Sequence, residues 1–319
     1  DRISSMKVFV LPPGESWIID RFVSEWNVDN PEISVQDPRE SDVIWLLADN
    51  CWRHVPMQLL LSKKVLTTVH HIVPEKFGAS EYADFVARDA ITTAYHVFNE
   101  RTQILVKSLT RKPIYLVNYW VNQSIWRNTS SKHDLRKKHG LPIDSYLCGS
   151  FQRDTEGCDL VSPKLEKGPD LLADFLIASK REWGFWPKGS ECMSLKFLHV
   201  VLAGWRRQYI IKRLEDAKIG YTYFERPSQE TLNELYQTLD LYPVTSRHEG
   251  GPQSLIECGL LGVPVVSRPV GIAEQVLPSE AIADDVSIAT PRVPNIDVEW
   301  KLPAGYKKYR DLLSLIVGV

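Results

Sequence analysis

Glu249 and Glu257 stand eight positions apart, around the stretch Gly250-Gly251-Pro252-Gln253-Ser254. Gly250 and Gly251 allow a tight turn that a ligand can approach closely, and Pro252 near the first helical position needs no amide donor. A helix predicted over 253–261 leaves free backbone N–H groups and the positive end of its dipole at that turn. This is an anion site suited to a diphosphate. Glu249 just before the turn and Glu257 on the helix can border one pocket. A loop carboxylate there accepts hydrogen bonds from sugar hydroxyls, and a helix carboxylate can hold two neighbouring ribose hydroxyls. The spacing by itself also describes solvated helix carboxylates, which are common.

The elements that must position these residues read as βα punctuation. Apolar runs at 7–11, 32–35, 43–47, 64–70, 90–95 and 114–117 alternate with helical patterns at 16–26, 81–88 and 100–109. In the second half, strands at 146–151, 197–203, 221–224, 241–244 and 264–266 alternate with helices at 169–182, 208–217, 229–238 and 253–261. The fold class expected is α/β, with two Rossmann-like parallel sheets in tandem. The domains are placed at 1–125 and 141–299, with a polar and then basic linker at 126–140. A C-terminal helix over 300–319, apolar at Tyr306, Tyr309, Leu312, Leu313, Leu315 and Ile316, is expected to pack back on the first domain. In open sheets of this kind, ligands bind outside the carboxyl ends of the strands.

Composition removes several function classes. The 319 residues suit two domains at roughly 150 each. A hydrophobic fraction of 44% with 24% charged residues excludes a largely disordered or collagen-like chain. Lysine plus arginine (38) against aspartate plus glutamate (40) leaves no basic excess, so nucleic acid is not an expected partner. Five cysteines, Cys51, Cys148, Cys158, Cys192 and Cys258, are odd in number and lack a CxxC pair. They fit neither a disulfide framework nor a zinc site and predict a reducing, cytoplasmic location. No apolar run approaches the roughly 18 residues of a spanning helix, and Asp1-Arg2-Ile3-Ser4-Ser5 does not read as a signal peptide. The run Arg136-Lys137-Lys138 reads as a solvated helix face, with peripheral contact to an acidic membrane as the alternative. Trp183-Gly184-Phe185-Trp186 reads as core packing or a loop anchor, with lipid or sugar contact as the alternative.

The segment Ser246-Arg247-His248-Glu249-Gly250-Gly251-Pro252, continued by Gln253-Ser254-Leu255-Ile256-Glu257-Cys258 and closed by Gly262-Val263-Pro264-Val265-Val266, resembles the C-terminal signature of retaining GT-B glycosyltransferases, particularly family 4. Cys258 and Leu260 replace small residues of that pattern. Upstream, Gly149-Ser150-Phe151-Gln152-Arg153 and Glu166-Lys167-Gly168-Pro169 resemble the strand-loop-helix of the same family, with Lys164 competing with Lys167 for the lysine position. Val65-Leu66-Thr67-Thr68-Val69-His70-His71 is similar to its T-x-H-D strand end, with His71 in place of the aspartate. Leu11-Pro12-Pro13-Gly14-Glu15 occupies the first strand-helix turn, where Gly14 is either a ligand contact or a plain turn residue. Tyr119 and Trp120 disturb the closing strand's P-N-G-V-D stretch.

The resemblance implies two facing Rossmann-like domains with a cleft, and a retaining, metal-independent glycosyltransferase using a nucleotide-sugar donor, UDP- or GDP-sugar, with no other cofactor. It implies that Glu249 orients the sugar, Glu257 anchors the ribose, and Arg153 with Lys167 binds the diphosphate. It places His70 against the donor sugar, with Gly14, Gly250, Gly251, Pro252, Gln253 and Ser254 on the donor. The acceptor would be a glycan, a lipid-linked sugar or a small molecule. A nucleotide-sugar epimerase and a nucleotide-sugar-binding protein without transfer activity are the alternatives.

Overall fold

The computed structural model describes residues 6–14, 18–157, 159–181 and 197–318. It divides into two compact units, Asp1–Trp120 with Leu302–Val319, and Val121–Lys301. Unit 1 begins with β1 (Val8–Val10), α1 (Ile18–Asp29), β2 (Val43–Leu46), α2 (Met57–Ser62) and β3 (Lys64–Thr68). It continues with α3 (Ala79–Ile91), β4 (Ala94–Val97), α4 (Glu100–Leu109) and β5 (Ile114–Leu116). The five strands pair in parallel in the order β1-β2-β3-β4-β5. β2 and β4 are buried throughout, as continuous apolar runs require in a sheet covered on both faces.

Unit 2 carries α5 (Lys132–Lys138), β6 (Tyr146–Phe151), α6 (Pro169–Arg181), β7 (Leu198–Gly204), α7 (Gln208–Asp216) and β8 (Gly220–Glu225). It ends with α8 (Gln229–Gln237), β9 (Tyr242–Val244), α9 (Gln253–Leu261), β10 (Val265–Ser267) and α10 (Ala273–Val276). β6-β7-β8 and β9-β10 form parallel groups, joined by the bridge Cys148–Leu241 and a 2.9 Å bond from Gly149 N to Leu241 O. The resulting order β8-β7-β6-β9-β10 is the doubly wound arrangement.

The chain returns to unit 1 through α11 (Ala304–Val317). Its Tyr306, Tyr309, Leu312, Leu313 and Ile316 are buried at helical spacing. Tyr309 stacks on Trp45 with centroids 5.2 Å apart and meets Trp120 edge-on, while Tyr306 meets Trp26. Tyr309 Oη donates to Asn118 O at 2.8 Å, and Tyr306 Oη to Asp29 Oδ2 at 2.9 Å. Each buried aromatic of this cluster contributes roughly 1.5–3 kcal/mol of apolar burial, so the helix is an integral part of the unit 1 core.

Several sequence expectations differ from the structure. The run 32–35 makes one bridge, Ser34 to Val8, rather than a strand. The segment 90–95 is divided: α3 runs to Ile91 because Phe85, Arg88 and Ile91 share its buried face, and β4 starts only at Ala94. The segment 126–140 contains α5 and belongs to unit 2. Arg136, expected on a solvated face, is buried: its guanidinium donates to Thr238 O at 2.8 and 3.0 Å and to Asp240 Oδ2 at 2.7 Å. A buried guanidinium is tolerated because carbonyls and a carboxylate satisfy its donors. Trp183-Gly184-Phe185-Trp186, Cys158 and Cys192 lie outside the described residues. Cys51, Cys148 and Cys258 are buried free thiols, and burial pushes the Cys148 and Cys258 thiols up, away from reactive thiolates. Among the described residues no helix is long and apolar enough to cross a membrane.

Candidate functional site

In unit 2 the strand order reverses between β6 and β9, which opens a crevice at their carboxyl ends. The loop after β6 supplies Gln152 and Arg153, and the loop after β9 supplies Thr245, Ser246 and Glu249. Lys167 reaches this place from a short 3-10 turn that ends at Gly168 in the left-handed conformation (φ 62°), immediately before Pro169 opens α6. Pro169 at the first helical position costs no hydrogen bond. The Lys167 carbonyl is fixed by Gln152 Nε2 at 3.2 Å and Ser246 Oγ at 3.4 Å.

The central observation is an ion pair. Lys167 Nζ lies 2.7 Å from both Oε1 and Oε2 of Glu249, and Ser246 Oγ donates to Oε1 at 3.0 Å. Lys167 and Glu249 side chains are 24% and 13% exposed, enough shielding for a strong pair while leaving the groups reachable. The loop beneath is held by Arg247, which grips Asp170 in a two-pronged fork at 2.8 and 2.6 Å, while Arg247 N donates to Glu166 O at 2.8 Å. Burial pushes the Asp170 carboxyl up, but the Arg247 fork outweighs it and holds the group below the usual carboxylate range.

Pro252 precedes α9 and provides no side-chain cap; Leu255 N donates to Pro252 O at 3.0 Å, which leaves the N–H groups of Gln253 and Ser254 to face a ligand. Gln253 Nε2 is buried there with no hydrogen-bond partner among the described residues, a second donor at the same helix end. Gly271 (φ 58°) braces the turn: a Cβ on it would stand 2.8 Å from Pro252 Cδ and 3.1 Å from Gly250 O. Glu257 is 5% exposed on the buried face of α9 and hydrogen-bonds the Tyr236 hydroxyl, whose pKa is raised by burial and then by the Glu257 charge.

Arg153 is half-buried, donates through Nε to Thr155 O at 2.8 Å, and lies over Trp205. Lys164 pairs with Glu166 at 3.5 Å, so of the two competing lysines it is Lys167 that meets Glu249. Burial lowers the Lys164 pKa, with the cations of Lys167 and Arg153 adding to it. Sequence reasoning missed the support under this loop. Arg207 and Asp154, both wholly buried, pair at 2.9 Å, and Arg207 also donates to Ala203 O at 2.7 Å, Ser150 Oγ at 2.8 Å and Ser150 O. Arg207 follows another arginine in the sequence, and only burial distinguishes the two. Arg207→Met would strand the Asp154 carboxylate, with an expected loss of about 3–5 kcal/mol in urea unfolding. The double variant Arg207→Met/Asp154→Leu should recover most of that loss, and equal instability of both variants would contradict the pairing argument.

Gly14 and His70 lie in unit 1. Gly14 is left-handed (φ 74°), an added Cβ would meet nothing within 4 Å, and its N–H donates to Asp20 Oδ1 at 3.0 Å. His70 Nε2 lies 2.8 Å from Leu47 O, and since a carbonyl only accepts, this nitrogen carries the proton. Nδ1 then accepts from the Tyr119 hydroxyl at 3.3 Å. The neighbouring His96 is fully buried, which lowers its pKa to about 3 and makes it a neutral core residue. Among the described residues no group of three or more His, Cys, Asp or Glu side chains is placed to hold a metal ion.

No protein-family model matches the chain, and no curated protein matches it in sequence. Solved structures do match. HepE of Anabaena, in complex with UDP and glucose, is similar with a TM-score of 0.63 at 14% identity, over 89% of this chain and 88% of that one. A glycosyltransferase from Rickettsia africae is similar with a TM-score of 0.59 at 13% identity, over 98% of both chains. Sucrose-phosphate synthase from Thermosynechococcus elongatus gives 0.57 at 16% identity, over 93% of this chain and 73% of that one. The fold is GT-B. At these identities the likeness speaks for the fold, and the chemistry must be argued from the site.

Proposed function

We propose that the chain is a retaining glycosyltransferase that moves a sugar from a nucleoside-diphosphate donor to an acceptor hydroxyl. The observation that carries this reading is the Lys167–Glu249 pair beside the uncapped start of α9, at the reversal point of the unit 2 sheet. An anion-binding helix end, a cation and a hydroxyl-accepting carboxylate match a diphosphate joined to a sugar. HepE, solved with UDP and glucose, shares the fold, which favours UDP-sugars as the first donors to try.

In this reading the diphosphate sits on the Gln253 and Ser254 N–H groups at the start of α9 and the Gln253 amide, and Lys167 turns from Glu249 to the phosphates. Lys167 and Arg153 neutralise the charge that grows on the leaving diphosphate, so the departure needs no metal. Glu249, released, accepts from the donor sugar's hydroxyls and stabilises positive charge at its anomeric carbon. Glu257 holds the ribose, exchanging the Tyr236 hydroxyl for ribose hydroxyls. The acceptor hydroxyl attacks from the face the diphosphate leaves, and a donor phosphate oxygen takes its proton. For His70, which the family resemblance assigns to the donor sugar, the Nε2 proton is committed to Leu47 O, so a sugar contact in that role would use Nδ1 and replace Tyr119.

The test is calorimetric binding of UDP, GDP and ADP and their sugars, with the anomeric configuration of any product read by NMR. Lys167→Ala should weaken nucleoside-diphosphate affinity on the order of tenfold to a hundredfold. Undiminished affinity in that variant, or an epimerised donor formed without acceptor, would reject the reading.

A further inference from the structure

We propose that the amino-terminal end of the unit 1 sheet carries a binding site for a phosphate monoester, at the opposite end of that sheet from Gly14 and His70. A cavity of about 460 Å³ lies there. Its wall includes Asp42 ahead of β2, Ser62 at the end of α2, Lys63, Lys64 at the first position of β3, and Thr93 ahead of β4. The volume exceeds that of a bare oxyanion and falls in the range of small-molecule sites.

The backbone sets two of the cations in place. Lys63 Nζ donates to Arg39 O at 2.9 Å and to Ser41 O at 2.6 Å. Lys112 Nζ donates to the carbonyls of Asp89 and Thr92, the latter one residue from Thr93 in the cavity wall. An ammonium group has three N–H donors, so Lys63 and Lys112 each keep one for a ligand. Both are half-buried, which orders these long side chains before a ligand arrives and lowers the entropy lost on binding. Lys64 is exposed beside them. None of the three pairs with a carboxylate among the described residues, and carbonyl partners cancel no charge. Anchoring of strand ends accounts for Lys63 and Lys112 but not for Lys64, whose ammonium touches no acceptor among the described residues.

The polar groups around these lysines divide into donors and acceptors. Thr93 Oγ1 accepts from Val65 N at 3.0 Å, so its own proton remains for donation. Ser62 Oγ donates to Leu59 O at 2.9 Å, which leaves its oxygen to accept. Asp42 Oδ2 accepts from Lys7 N at 2.8 Å, with Oδ1 left as a further acceptor. Three cations against one carboxylate favour a doubly charged phosphoryl group. The carboxylate and the serine oxygen call for hydroxyls on the same ligand. A phosphorylated sugar or polyol carries both features, whereas inorganic phosphate carries only the first.

The experiment titrates glucose 6-phosphate and inorganic phosphate into the full chain by calorimetry, with and without saturating UDP. Glucose 6-phosphate should bind roughly tenfold more tightly than inorganic phosphate, and equally well with UDP present. Lys64→Ala, at an exposed strand end, should weaken it about fivefold, Lys63→Ala/Lys64→Ala about twentyfold or more, and Lys64→Arg should restore it to within about twofold. Lys64→Ala and Lys64→Arg suffice if the double variant does not fold. Lys167→Ala should leave this affinity within about twofold of the parent. Equal affinity for the two ligands would overturn the monoester, and unchanged affinity in Lys64→Ala would overturn the site. So would affinity lost in Lys167→Ala or at saturating UDP, which would move the phosphate to the start of α9. A chain that binds glucose 6-phosphate through Lys64 but shows no affinity for UDP would keep this site and reject the donor reading.

Discussion

Gly168→Ala is expected to destabilise the chain by roughly 3 kcal/mol or more, as the sum of about 1–2 for a left-handed non-glycine residue and about 1–3 for overpacking. At φ 62° an added Cβ would stand 2.7 Å from the Thr245 carbonyl carbon and closer still to its oxygen, so backbone must move against backbone. Thr245 Oγ1 also donates to Gly168 O at 3.0 Å, which ties the loop after β9 to the turn that carries Lys167. The comparison is Gly262→Ala. Gly262 has nearly the same backbone conformation (φ 73°) but nothing within 4 Å of an added Cβ, so only the conformational cost of about 1–2 kcal/mol applies. Urea unfolding of the two variants separates the terms. Equal losses would mean that the close approach of Gly168 to Thr245 does not constrain the site.

Glu249→Gln should reduce sugar transfer by on the order of 10²–10³-fold while leaving UDP affinity unchanged or stronger. The amide keeps the shape of the carboxylate but not its charge. Lys167, which meets both Glu249 oxygens at 2.7 Å, then keeps its full charge for the diphosphate. The opposite movement of binding and turnover is what separates this role from a merely structural one. A structural pair, once broken, would loosen the loop after β9 and lower both together. Calorimetry with UDP and a turnover assay on the same preparation decide between them; parallel losses would remove Glu249 from the chemistry.

The two unit sheets were legible because their strands are short apolar runs between turn residues, and α4 and α9 fall on their expected boundaries, Glu100–Leu109 and Gln253–Leu261. Both have local marks. Asn99 caps α4 through a bond from Thr102 N, and Pro252 and Gly262 bracket α9. α5 was legible only as a solvated helix face at Arg136-Lys137-Lys138; its anchoring residue is Arg136, which buries its charge by long-range bonds to Thr238 and Asp240. No local pattern announces such a partner.

The site divides in the same way. Glu249, Gly250, Gly251, Pro252, Gln253 and Glu257 lie within nine consecutive residues, so their joint placement follows from one turn and one helix. What the amino-acid order determined by itself was this cassette and the alternation of strand and helix. Lys167 on Glu249, Arg207 on Asp154, and Arg153 on Trp205 were decided by tertiary structure alone. They join residues 82, 53 and 52 positions apart in the chain, brought together at the carboxyl ends of parallel strands. Parallel pairing forces each strand's return through a crossover helix, so side chains that meet at one sheet end are necessarily distant in sequence, and local periodicity carries no record of their meeting.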